Sequence, residues 1–280
     1  MPSIPNVVHA LAAAGDAVCY AATDAGLWRW QADAHSGRWT RIAPQFGAVE
    51  LLAVAAAADT IWVGARGDIA VSRDGGATWG IASLPVKADV IALAASPDNA
   101  RDGIVLAATL RDGVLRSTDG GATFHAWNFG LLELTVNAIA LSPTFAVDSH
   151  ALAATDHAVY VSRNGGRAWR ELSLPADLGP FTAVGFDGSD ALIGAESRGL
   201  WRLRGLDGEA ARESTGKAAA INAIADGLVA TASSVLQRDG GRWRKVSALA
   251  GAQCVARCGG SVLASSDDPG VTVVSPRAAH

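Results

Sequence analysis

One short phrase recurs along the chain at an even interval, and it restricts the fold more than any other feature. Ser72-Arg73-Asp74-Gly75-Gly76-Ala77-Thr78-Trp79, Ser117-Thr118-Asp119-Gly120-Gly121-Ala122-Thr123-Phe124 and Ser162-Arg163-Asn164-Gly165-Gly166-Arg167-Ala168-Trp169 align without gaps, 45 residues apart. A shortened copy, Gln237-Arg238-Asp239-Gly240-Gly241-Arg242-Trp243, follows. A regular interval of this size belongs to solenoids and propellers, in which one supersecondary unit is repeated.

The stretches between the copies choose between those two. Val90-Ile91-Ala92-Leu93-Ala94 is followed by Ile104–Thr109, Gly113–Ser117 and Thr123–Trp127, and the next interval repeats the pattern. Each unit is four short apolar or alternating runs separated by Gly, Asp, Asn and Pro, which reads as four strands. Nothing sustains a helical period. Four antiparallel strands in about 45 residues make one propeller blade of WD40-like size. The 31 glycines, without a collagen period, fit the many tight turns this needs.

Innermost strands are expected at Val8, Leu51, Val90, Val136, Phe181, Ile221 and Cys254, which makes an all-β, seven-bladed β-propeller in a single domain. The blades are expected at about 5–48, 49–88, 89–134, 135–180, 181–219, 220–252 and 253–280. The last shows only three runs: Gln253–Cys258, Ser261–Ser266 and Gly270–Ser275. A ring can complete its last blade with a strand from the other terminus. Here Pro2 and Pro5 flank that segment and cannot donate ladder hydrogen bonds, so Ser3 and Ile4 are expected to add little.

The repeated phrase makes sense as a lock on the hairpin between the third and fourth strands. Ser and Asp side chains bond nearby backbone N–H groups, and the paired glycines supply positive φ. The aromatic residue then opens the outer strand and covers the gap beside a neighbouring blade. The phrase could alternatively hold calcium or a ligand. Its decay in the first blade, at Ala32-Asp33-Ala34-His35-Ser36-Gly37-Arg38-Trp39, suits a structural lock, and neither metal nor cofactor is expected. A second phrase, Ser96-Pro97 with Asp102 and Ser142-Pro143 with Asp148, reads as a turn between first and second strands.

The pattern S-x-D-x-G-x-T-W resembles the Asp-box, or BNR repeat, of sialidases, sortilin-type receptors and the photosystem II stability and assembly factor family. The Ser-Pro phrase is similar to that of bacterial propellers related to the assembly factor. The resemblance implies the propeller fold, and its assembly-factor branch implies a binding or assembly role.

Charge and composition narrow the partners. The net charge of −4, without a run of one sign, lacks the basic footprint of a nucleic-acid binder. The apolar run Leu51–Ala58 is far short of the roughly 20 residues of a membrane helix. The first residues lack a positive n-region and are interrupted by Asn6 and His9, so no signal peptide is expected. Cys19, Cys254 and Cys258 form an odd set and read as small buried residues, not a disulfide framework. Cytoplasmic residence without membrane insertion is the expectation.

The loops between second and third strands share a face with the inter-blade connections and surround the channel mouth. They carry Asp24, Arg66, Asp68, Arg111, Asp112, Asp156, His157, Glu196, Arg198, Asp267 and Asp268. His9, Asn137, Thr182 and Asn222 take the second positions of their inner strands and should rim the mouth. The candidate binding residues are therefore His9, Arg66, Arg111, Asn137, Asp156, His157, Thr182, Glu196, Arg198 and Asn222. A sialidase is not expected: Tyr20 and Tyr160 both fall within the strand pattern, and Arg41-Ile42-Ala43-Pro44 ends a fourth strand. The leading expectation is a non-catalytic binding or assembly module for a protein or peptide. The alternative is a hydrolase or lyase acting on a sugar or small polar molecule, with His9, His157, Asp156 and Glu196 as acid/base candidates.

Overall fold

The computed structural model describes residues 4–32, 37–43, 47–216 and 220–274. They form seven antiparallel sheets, six of four strands and a last of three, each in simple sequence order. The innermost strands are Val8–Ala14, Leu51–Ala57, Val90–Ala95, Ala138–Leu141, Phe181–Asp187, Ile221–Ala225 and Ala252–Cys258. Each packs against the innermost strand of the next sheet, and Ala252–Cys258 packs against Val8–Ala14. The ring is thus closed, and the seven-bladed propeller expected from the repeat is the observed fold.

The small-residue composition follows from that geometry. Blades converge on the axis, so facing sheets come close near the centre. A Cβ on Gly64 would lie 2.6 Å from Cγ1 of Val90 in the next blade, and one on Gly194 would lie 2.6 Å from Cγ2 of Ile221. Second strands such as Ala151–Ala154 are buried throughout, between two neighbouring blades. The apolar core is accordingly a set of inter-blade layers, not one central mass. Phe124 packs with residues of blades 2 and 3, and Trp169 with residues of blades 3 and 4.

Several local expectations need correction. The fourth inner strand begins at Ala138, not Val136, because Val136 N instead donates to Thr109 O (2.9 Å) in the preceding blade. The seventh begins at Ala252. Trp79, Phe124 and Trp169 immediately precede the outermost strands Gly80–Ile81, His125–Ala126 and Arg170–Glu171, which are only two residues long. The Ser-Pro phrases open single helical turns, Asn99–Asp102 and Phe145–Asp148. Asp102 closes the first by accepting from Ser96 Oγ (2.5 Å) and Ile104 N (2.9 Å), and Asp148 does the same with Ser142 and His150.

Ring closure keeps the expected three-stranded last blade, but Ile4 contributes more than expected. Ile4 is fully buried among Val8, Trp30, Trp39 and Leu263, and Gly270 N donates to Asn6 O (3.1 Å). The third strand of the last blade is Val271–Val274. Ser3, Ser275 and residues 33–36 of the decayed first box lie outside the described residues.

Candidate functional site

The two faces of the ring are built differently. On one, each box turn sits against the loop joining the first two strands of its own blade. Gly75 N donates to Asp59 O, Gly120 N to Gly103 O and Gly165 N to Ser149 O, each at 2.9 Å. On the other, second-to-third-strand loops meet the inter-blade connections. Gly67 N donates to Ala88 O (3.0 Å), Gly113 N to Leu134 O (2.9 Å) and Glu196 N to Pro180 O (2.9 Å).

The box is an internally satisfied turn. Ser72 Oγ donates to Asp74 Oδ1 (2.8 Å) and accepts from Gly76 N (2.8 Å). Thr78 N donates to Asp74 Oδ1 (2.8 Å) and Thr78 Oγ1 to Asp74 Oδ2 (2.5 Å). Ser117, Asp119, Gly121 and Thr123 repeat this set in blade 3, and Asn164 replaces the carboxylate in blade 4. The Thr78 bonds bring the Asp74 carboxyl down to about 2. Burial opposes the same shift at Asp119, but the bonds from Thr123 and Ser117 outweigh it and its carboxyl also falls to about 2. The turn reaches across blades as well. Gly120 O accepts from Trp62 Nε1 (2.9 Å) and Arg73 (3.1 Å), and Gly165 O from Arg116 (2.6 Å).

At the other face the axial channel opens as a cavity of about 520 Å³, lined by His9, Asn137, Thr182 and Asn222 together with Gln253 and Asp267. The ladder slips one residue at the second position of the inner strand in blades 1, 2, 3, 5 and 6, and again between Ala252 and Val255 in blade 7. Such a bulge turns a side chain out of the ladder. Of the side chains so freed, Thr182, Asn222 and Cys254 cross to the next blade, and so does Asn137, which immediately precedes its inner strand. Asn137 Nδ2 donates to Phe181 O (3.1 Å), Thr182 Oγ1 to Ile221 O, Asn222 Nδ2 to Ala252 O (2.7 Å), and Cys254 Sγ to His9 O (3.1 Å). His9 Nε2 approaches Glu50 Oε1 (3.6 Å) at the entry of blade 2. The rim residues thus hold neighbouring blades together, a role the sequence reading left open.

The remaining candidates spread over the same face. Arg66 bridges Glu50 (3.0 Å) and Asp89 (3.7 Å). Asp156 accepts from Asn137 (2.8 Å), and exposed His157 is paired with Glu133 (3.1 Å). The Glu133 hydrogen bond and charge raise the His157 imidazole above its ordinary value. Arg111, Glu196 and Arg198 are exposed, and no side-chain partner is found for them among the described residues. The loops are locked at their base. Buried Thr23, Thr109, Thr155 and Thr231 donate to Gly26, Gly113, Ala158 and Ser234 carbonyls at 2.7–2.9 Å. The residues above each threonine are the ones left to vary. Asp156, His157 and Arg198 come together at a groove of about 570 Å³ between blades 4 and 5, whereas His9 stands apart beside Glu50.

Two features escaped the sequence reading. Arg202, 11% exposed, is held by Asp187, Asp190 (2.8 Å) and Glu213 (2.6 Å), and Glu213 also accepts from Arg238 (2.9 Å) and Trp243 (3.0 Å). This network ties blades 5 and 6. The other is a set of exposed apolar side chains on the inter-blade connections: Val49, Val86, Leu132 and Leu134.

Together these features define a seven-bladed β-propeller with one repetitively stapled face and one varied channel-mouth face. No family model matches the chain, and no curated protein matches it in sequence. Solved structures match in fold. YCF48 bound to D1 peptide is similar at TM-score 0.70 and 11% identity, over 97% of this chain and 92% of that one. YCF48 from Cyanidioschyzon merolae is similar at 0.71 and 15%, over 100% and 98%. The WD40 propeller domain of Doa1 is similar at 0.75 and 13%, over 99% and 96%. No helix among the described residues is long and apolar enough to cross a membrane.

Proposed function

We propose that the chain is a non-catalytic binding or assembly module whose channel-mouth face receives a protein or peptide partner. The observation that carries this reading is the row of exposed apolar side chains on successive connections of that face, with Leu132 80% exposed. Burying them would be favourable. Arg111, Asp156, His157, Glu196 and Arg198 stand around them as polar contacts. Arg66 contributes through its bridge to Glu50 and Asp89, and His9, Asn137, Thr182 and Asn222 hold the rim in shape. The similarity in fold to a YCF48 that was solved with a peptide supports the class of partner. A cytoplasmic setting belongs to the same reading and accords with three free thiols.

The test uses two exposed residues on opposite faces. A photo-crosslinking amino acid replaces Leu132 on the channel-mouth connection, or Val147 in the helical turn on the box face. Irradiation in the native host should give a discrete adduct from position 132 and none from 147. The reverse pattern would contradict the assignment.

A further inference from the structure

The groove between blades 4 and 5 joins an apolar floor to a charged rim. Leu172, Leu178, Pro180 and Phe181 contribute to its lining, with Asp156, Glu171 and Asp177 around it. Its cations are Arg198 and His157, and His157 is already engaged by Glu133.

The charge around the groove indicates what covers it. The second-to-third-strand loops carry seven carboxylates and three arginines, a formal −4 that equals the net charge of the whole chain. The rest of the molecule is therefore balanced. The first four inter-blade connections, on the same face, add Glu50, Asp89, Glu133 and Asp177 against Lys87. Two of the face's cations are committed, Arg66 to Glu50 and Asp89 and Lys87 to Asp68 (2.6 Å), which leaves Arg111 and Arg198 against a larger number of carboxylates. Asp24, Asp112, Asp177, Glu196 and Asp268 have no cationic partner among the described residues. An acidic rim around apolar surface suits a side chain with an apolar stem and a cationic head, the form of lysine and arginine.

We propose that the occupant of this face is a cationic peptide segment, with apolar residues between its lysines or arginines, seated in the blade 4–5 groove. The inference rests on the binding-module reading and specifies the partner's charge. Like-charge juxtaposition excludes acidic segments, and the field steers basic ones to the face.

Three fluorescein-labelled peptides of identical length and leucine spacing provide the probes, with lysine, glutamine or glutamate at the polar positions. Fluorescence anisotropy against the full chain should show the lysine peptide binding about tenfold or more tighter than the glutamine peptide, and the glutamate peptide weakest. Raising salt from about 0.05 M to about 0.5 M should erase most of the difference, since screening shortens with ionic strength. The variant Glu171→Gln/Asp177→Asn/Glu196→Gln, checked for an unchanged melting curve, should lose most of the lysine-peptide preference. Equal or tighter binding of the glutamine or glutamate peptide at Leu132-crosslinkable sites would overturn the charge assignment and leave the binding face standing. A lysine-peptide preference unchanged in the variant would overturn the groove. Crosslinking of all three peptides only from position 147 would overturn the binding face itself.

Discussion

Gly75 and Gly121 belong to the same kind of turn but differ in what surrounds them. Gly75, the first glycine of its pair, has φ +69 and no atom within 4 Å of a Cβ built on it. Gly121, the second of its pair, has φ +86, and its Cβ would lie 2.3 Å from Trp62 Nε1 in the preceding blade. Gly121→Ala should therefore cost about 2 kcal/mol or more, through strain and a displaced Trp62. Gly75→Ala carries the backbone strain alone and should cost clearly less. Denaturant melts of the two variants check the order; equal losses would mean that the second glycine is not an inter-blade contact. At the channel rim, Thr182→Val keeps the shape but removes the hydroxyl donor, whose one proton serves Ile221 O with Gly194 O farther off at 3.4 Å. A loss of about 1 kcal/mol is expected, and an unchanged melting temperature would count against the rim as a stitch. The equivalence of His9, Thr182 and Asn222 was legible in sequence because they take the same place in the repeat. The acceptors of Thr182 and Asn222 were not, because a backbone carbonyl 30 or more residues away leaves no mark on residue type.

The Asp-box is the element whose local physics reads most directly from sequence. Ser, Asp, Gly and Thr at fixed offsets state their own hydrogen bonds, and the structure has them. Its carboxylates give a pH signature. Asp74 and Asp119 titrate near 2 when folded, below the value near 4 of an unfolded aspartate. The stability they contribute is therefore complete above about pH 4 and is lost as pH falls through about 2. Urea melts between those limits should show wild type losing stability faster than Asp119→Asn, with Asn164 of blade 4 as the natural precedent for the amide. Parallel curves would contradict the assignment. Blades 5 and 6 are joined by the Arg202 network instead. Burial disfavours the Arg202 charge, yet bonds to Asp187, Asp190 and Glu213 raise its pKa overall. Arg202→Met leaves three carboxylates with Arg238 as their remaining cation and should cost about 2–3 kcal/mol, less than a fully buried pair because the carboxylates remain partly exposed. The sequence could not show this, since its members come from different strands of two blades and, for Glu213, from the connection after the fourth strand, with no repeated spacing. A loss no larger than that of Thr182→Val, by the same melt, would show that solvent already screens the network.

At the scale of the whole molecule, repetition and variation divide between the two faces. The even interval of the boxes made the ring legible from sequence, since one hairpin solution recurs in three successive blades. The binding face was legible only in part. The varied loops could be placed on it from strand order, but Val86, Leu132 and Leu134 look like core residues until the connections are seen to lift them into solvent. Their exposure, beside a face that holds the chain's net negative charge, is the basis for assigning recognition there. The most direct measurement is hydrogen–deuterium exchange of the full chain with and without the partner recovered from position 132. Residues 127–136, 155–158 and 172–180 should become protected on binding, while the box turns 72–79, 117–124 and 162–169 exchange as before. Protection confined to the box turns, with the channel-mouth connections unchanged, would contradict the account.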